Sequence, residues 1–100
     1  MNLISRRTLL DYAREHPETR VPLTEWMKKV KAAKWQSTAE VKEAFPKASM
    51  LNGERVRFEI AGNNYRLVVA FKFSAKIAFV KFIGTHAEYD QIDALTVKQY

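Results

Sequence analysis

The sequence predicts one α+β domain spanning residues 1–100, with helices covering one face of a small antiparallel sheet. Three observations carry that expectation. Apolar residues recur every three or four positions through the first 45 residues, the spacing of a helix face. From residue 55 they recur every second position, the spacing of a strand face. The chain has 100 residues, enough for one modest core and no more. With 47% hydrophobic and 12% aromatic residues, it has the apolar content to fold.

The elements follow in order. The stretch "NLIS", residues 2–5, reads as a short strand. Ser5 then stands as the N-cap of a helix running to about Glu15, with Leu9, Leu10 and Ala13 on its apolar side and Pro17 ending it. Leu23, Trp26, Met27 and Val30 form the apolar stripe of a second helix, and Lys28, Lys29 and Lys31 its solvated side. In "STAEVKEAFP", Ser37 and Glu40 have the spacing of a capping box, in which each side chain satisfies a backbone N–H of the other. Val41, Ala44 and Phe45 supply that helix's contacts. Pro46 disfavours helical geometry at Phe45 and stops the helix.

"RVRFEI" places Val56, Phe58 and Ile60 on one strand face, with Arg55, Arg57 and Glu59 opposite. "YRLVVAFKF" places Tyr65, Leu67, Val69, Phe71 and Phe73 on one face, with Arg66, Val68, Ala70 and Lys72 opposite. A two-residue type II′ loop at Gly62 and Asn63 joins them, because glycine tolerates positive φ at the first position. That register pairs Ile60 with Tyr65, Phe58 with Leu67 and Val56 with Val69 on the core face. Glu59 then opposes Arg66 on the other face, as a cross-strand ion pair. "KIAFVKFI", residues 76–83, is apolar on both faces except for Lys81, as a covered central strand should be. The turn before it leaves the face of Lys81 open. A short C-terminal helix closes the chain.

Charge gives the first functional hint. Seventeen Lys and Arg against eleven Asp and Glu give +6 and an isoelectric point near 9.7. A polyanionic partner fits that balance. The excess is local: residues 51–84 hold six basic side chains against two acidic, and residues 85–100 one against three. The sheet face opposite the helices is therefore expected to be basic. The absence of cysteine excludes disulfides and thiolate metal sites. Arg6 and Arg7 stand where a signal peptide would be apolar, and the longest apolar run, Leu67–Phe71, is far too short to span a bilayer. A cytoplasmic protein with no membrane contact is expected.

The stretch "FIGTHAEYDQ", residues 82–91, gathers His86, Glu88, Tyr89 and Asp90. Thr85 and Glu88 repeat the capping-box spacing, which accounts for Glu88 by helix capping. On a helix starting at His86, residues His86, Tyr89, Asp90 and Asp93 share one side, while Ile92 and Leu95 face the body. Three readings compete. His86 is an exposed first-turn residue, or it chelates a metal with Asp90, or it acts with Tyr89 on a phosphodiester held by the basic face. The metal reading lacks a third ligand, since His16 is the only other histidine. The third reading is chemically coherent. RNA cleavage through the 2′-OH requires a base, positive charge on the phosphorane and an acid for the leaving 5′-oxygen. Histidine suits either proton transfer. Arg66 and Arg57 would bind phosphate through the guanidinium fork. Tyr89 would stack on a base or move a proton, and Asp90 would orient His86.

"GNNYRLVV" followed by "KIAFVKFIGTHAEYD" resembles the HigB family of bacterial toxins, within the wider RelE-like group. "MNLIS", the "W…VKEAFP" segment and the overall length extend the resemblance over nearly the whole chain. The resemblance implies a RelE-like fold, a small sheet with helices on one face. It implies an endoribonuclease that cuts mRNA, often on the translating ribosome, and so arrests translation. It also implies a cognate HigA antitoxin of helix-turn-helix type. Arg66, His86, Tyr89 and Asp90 match family motif positions, which leaves open which of them is the general base. Arg55, Arg57, Lys72 and Lys81 are RNA contacts by placement on the strands. No metal or cofactor is expected. Two further readings remain: a non-catalytic RNA- or ribosome-binding module using the same basic face, and a DNA-binding accessory protein, for which no segment has a clear helix-turn-helix signature.

Overall fold

A computed structural model describes the whole chain, residues 1–100. The chain runs β1 (Asn2–Ile4), α1 (Arg6–Glu15), α2 (Arg20–Ala32), α3 (Thr38–Ala44), β2 (Ser49–Met50), β3 (Arg55–Ile60), β4 (Tyr65–Lys72), β5 (Ile77–Thr85) and α4 (His86–Tyr89). The strands form one sheet in the order β1-β5-β4-β3-β2. The expected meander is β3-β4-β5, all antiparallel. β2 extends it at one edge, and β1 joins β5 in parallel at the other. The sheet is thus mixed rather than purely antiparallel, and β5 is covered by a strand on either side.

The helices pack on one sheet face, as the spacing requires. All four expected residues of α2 (Leu23, Trp26, Met27 and Val30) are buried, together with Leu9 and Ala13 of α1. They meet Val56, Phe58, Leu67, Val69, Phe71, Ala78 and Val80 of the sheet. Phe58 is the hub of an aromatic cluster, edge-on to Trp26 at 5.3 Å and to Phe45 at 5.0 Å. Edge-to-face geometry aligns positive ring edges with negative ring faces, so these contacts fix orientation as well as burying area. No helix is long and apolar enough to cross a membrane.

Three local expectations are corrected. Ser5 precedes α1 but does not cap it. Its φ of +75° turns the chain out of β1, and its side chain makes no capping hydrogen bond. At α3, Ser37 Oγ accepts from the Glu40 N–H as expected, but Glu40 accepts from Gln36, one residue before the cap. The β3–β4 register is the one expected, including Glu59 opposite Arg66. Its loop is longer than expected: Ala61–Asn64 lie outside the ladder, and Ala61 joins Gly62 at positive φ (+54° and +70°). Left-handed backbone costs alanine ~1 kcal/mol.

Near the α4 end of the sheet, Tyr12 of α1 stacks on His16 at 4.1 Å and meets Tyr65 edge-on at 6.0 Å. The Tyr65 hydroxyl donates to Glu18. The Tyr12 hydroxyl is buried with no hydrogen-bond partner. Burial first, then the charges of Glu88, Tyr100 and Glu18, push its pKa up to about 12. The folded protein therefore holds this proton more tightly than the unfolded chain. The resulting stability is complete below pH 10 and is lost as pH rises from 10 through 12. Tyr12→Phe should change stability near neutrality by less than ~1 kcal/mol, because no hydrogen bond is lost. It should also flatten the alkaline fall in stability. Urea unfolding across that pH range checks both outcomes.

Candidate active site

The outer sheet face, opposite the helices, is built around a bulge. β4 and β5 pair regularly from Lys72–Ile77 to Val69–Val80, and then Val68 pairs with Phe82, so Lys81 is an extra residue in β5. Up to Val80, even-numbered β5 residues face the core. Beyond the bulge Ile83 faces the core, and Phe82 turns outward beside Val68. Lys81 lies on the outer face as well, with its ammonium 5.3 Å from the ring centroid of Phe79. That settles the open parity of Lys81.

Phe82 carries the next layer. It is 4% exposed, and its ring lies 6.2 Å from that of Tyr89 in α4. The Tyr89 ring in turn lies 5.5 Å from the guanidinium carbon of Arg66. Arg66 sits directly across from Gly84 in the ladder. Glycine is required there by space: a Cβ would fall 2.6 Å from the Phe82 ring.

Four residues of helix cannot hold themselves together, so α4 depends on its ends. The capping box forms as the spacing predicted. Thr85 Oγ1 accepts from the Glu88 N–H at 3.1 Å, and Glu88 Oε1 accepts from the Thr85 N–H at 2.8 Å. The His86 N–H donates to the Asn64 carbonyl at 3.0 Å, tying the helix to the β3–β4 loop. The imidazole is about half exposed, with Nδ1 3.2 Å from Asp90 Oδ2. Nδ1 can therefore pair with Asp90 when the imidazole carries its second proton, and Nε2 faces no partner within the chain.

Arg66 and Tyr89 thus lie against each other on the outer face, and His86 and Asp90 pair on the segment that carries Tyr89. The expected Glu59–Arg66 ion pair does not form. Glu59 instead pairs with Arg57 on its own strand, Oε2 to Nη2 at 3.4 Å. Arg66 is left 6% exposed, with no carboxylate partner and no hydrogen bond to Nε. A buried guanidinium without an acceptor is costly, and an anion at that spot removes the cost.

The remaining candidates divide. Arg57 is one row away on the same face, tied to Glu59. Lys72 is exposed at the far end of β4, six residues or about 20 Å from Arg66. Arg55 is engaged by the chain itself: its Nη1 donates to the carbonyls of Ala94 and Val97 at 3.0 and 2.8 Å. Residues 91–100 form a strap across the outer face rather than a continuation of α4. Asp93 makes a local turn, accepting from the Leu95 N–H, and Leu95 is exposed rather than packed on the body. Gln99 completes the bulge. Its N–H donates to the Lys81 carbonyl and its side chain accepts from the Ile83 N–H, both at 2.9 Å. Phe82, Gly84, Asn64 and Gln99 are the residues that sequence reasoning missed. Only Gly84, a glycine between a strand and a cap, carried a signal. No group of three or more His, Asp or Glu side chains is arranged to hold a metal ion.

The family model described as the RelE-like toxic component of a toxin–antitoxin system, HigB_toxin, matches residues 19–92. The mRNA interferase HigB of Escherichia coli O6:H1 is 29% identical over 94 residues, covering 92% of this chain and 91% of that protein. The mRNA interferase HigB of Shigella flexneri is 24% identical over 97 residues, covering 95% and 93%.

The Phe82 ring, which meets Tyr89, occupies the space where a Cβ at Gly84 would stand. Gly84→Ala should drive the Phe82 ring from its place and cost ~1–3 kcal/mol. Urea unfolding measures this; an unchanged midpoint would mean that the ring is not confined.

Proposed function

The chain belongs to the HigB family of RelE-like toxins, and from that premise we propose that it is a toxin endoribonuclease that cleaves mRNA on the translating ribosome without a metal ion. The observation that supports this most is Arg66, a buried guanidinium without a carboxylate partner that lies against Tyr89 of α4, the helix that His86 begins. A scissile phosphate placed against it would meet fixed positive charge where the pentavalent intermediate gathers negative charge.

In the reaction, the substrate's 2′-oxygen attacks the adjacent phosphorus and gives up its proton to a base. The bond to the 5′-oxygen breaks, and that oxygen takes a proton from an acid. The products are a 2′,3′-cyclic phosphate and a 5′-hydroxyl. His86 Nε2, with Asp90 holding Nδ1, takes one of these two proton transfers. Tyr89, which meets Phe82 on one side and Arg66 on the other, either takes the other or supports the base beside the cut. Arg57 and Lys81 extend the positive face along the RNA. A HigA-like helix-turn-helix antitoxin is the cognate partner, and the cytoplasm, where translating ribosomes are, is the site of action.

The test is to incubate the purified protein with mRNA, with and without translating ribosomes, with EDTA in the ribosome-free arm, and to map the cut ends. The proposal expects 2′,3′-cyclic phosphate ends and cutting that survives chelation wherever it occurs without ribosomes. It also expects a loss of about 10²–10⁴-fold in rate for His86→Ala and about 10²–10³-fold for Arg66→Gln. Cutting only with ribosomes places substrate orientation on the ribosome. RNA binding without cuts in either arm would replace the enzyme by a binding module using the same face.

A further inference from the structure

At the end of the sheet remote from α4, a cleft of about 500 Å³ is lined by Lys34, Trp35, Gln36, Phe73, Ser74 and Lys76. Two segments meet there, the stretch after α2 and the β4–β5 connection. We propose that this cleft is a second binding site for single-stranded RNA, with a base stacked on Trp35 or Phe73 and phosphates held by Lys34 and Lys76. The inference rests on the reading of the protein as an RNA-directed toxin and adds a contact that the reaction centre does not supply.

Both rings are held before any ligand arrives. Trp35 meets Phe45 and Phe71 edge-on at 5.9 and 6.0 Å, and Phe73 stacks on Phe71 at 5.3 Å with an interplanar angle of 10°. Each ring is nonetheless only half buried, so part of it is open to a base. A fixed aromatic surface loses little freedom on binding. Lys34 and Lys76 are exposed, neither has a carboxylate within 4.0 Å, and no acidic side chain lines the cleft. Lys76 has φ +57°, a backbone conformation that glycine or asparagine adopts at less cost. A lysine in that place puts a cation at the mouth of the cleft. Aromatic rings flanked by cations are the recurring arrangement for single-stranded nucleic acid, tolerant of sequence because every base has a flat face. The cleft is remote from the reaction centre: Phe73 follows the far end of β4, and Lys72 before it is six residues along the strand from Arg66, about 20 Å. An RNA that fills both sites must therefore run for several nucleotides.

Trp35 reports on the site directly. Trp26 is buried at 3% exposure and gives a constant background of fluorescence. The probe is 2′-O-methyl hexa-adenylate, which has no 2′-hydroxyl and stays intact. It should quench Trp35 emission, less so as salt rises. The Lys34→Ala/Lys76→Ala double variant should weaken this binding about 10-fold or more while remaining folded. A rise in KM for mRNA cleavage in that variant, with kcat kept, assigns the cleft to the flank of the substrate. Lost quenching with KM unchanged assigns it to another RNA strand, such as ribosomal RNA. Quenching absent, or unaffected by the double substitution, overturns the site. Equal quenching by polyglutamate of matched charge overturns it in favour of an acidic peptide. A protein that cleaves mRNA while Trp35 stays silent loses this inference alone. One that is quenched but never cleaves keeps the site and loses the enzyme.

Discussion

One extra residue in β5 organises the outer face of the sheet. With a regular ladder, Phe82 would point into the core and Ile83 outward. The bulge at Lys81 reverses both and brings Phe82 beside Val68 on the outer face. There it supports Tyr89, which lies against Arg66. Gly84 leaves room for the Phe82 ring, and Gln99 bonds to the backbone groups beside the bulge. Bulges re-aim side chains wherever a sheet must present a site. Here the outcome is an arginine that is buried yet unpaired.

The outer face is consequently not the open basic platform that strand alternation suggests. The strap covers part of it, and Arg55 serves the strap by binding two of its carbonyls. Arg57 is partly neutralised by Glu59. Arg66 is the buried arginine, and it has neither a carboxylate partner nor an acceptor for its Nε–H. The ring of Tyr89 lies against it, and the carboxylate of its cross-strand neighbour Glu59 is turned to Arg57, so no ion pair cancels its charge. On its other side, α4 is fixed at Thr85, Glu88 and Asn64. His86 is thus held at its backbone, while its half-exposed imidazole has Asp90 as its one charged neighbour, at 3.2 Å.

Most of the fold was legible because local signals agreed with one another. The α2 stripe, the Pro46 stop, the β3–β4 register and the Thr85–Glu88 capping box all follow from spacing, and all are present. Spacing was silent on edges: β2 is two residues long, and the parallel placement of β1 depends on tertiary packing. The four members of the candidate site were legible as residues but not as an arrangement. A run apolar on both faces concealed the parity change at Lys81. The cross-strand position of Glu59 predicted a partner for Arg66, but the carboxylate turns along its own strand to Arg57 instead. The strap could not be read at all, because polar, irregular segments carry no periodicity.

The proposal turns on Arg66 as the group that receives the phosphate: it is buried without a carboxylate partner and lies against Tyr89, which meets Phe82. The most direct measurement is the NMR signal of the Arg66 side-chain Nε–H during titration with a 2′-O-methyl oligonucleotide that cannot be cut. The account predicts a large shift of that signal, and slower exchange with water, at the concentration where the RNA binds. RNA binding that leaves the Arg66 signal unmoved would contradict it.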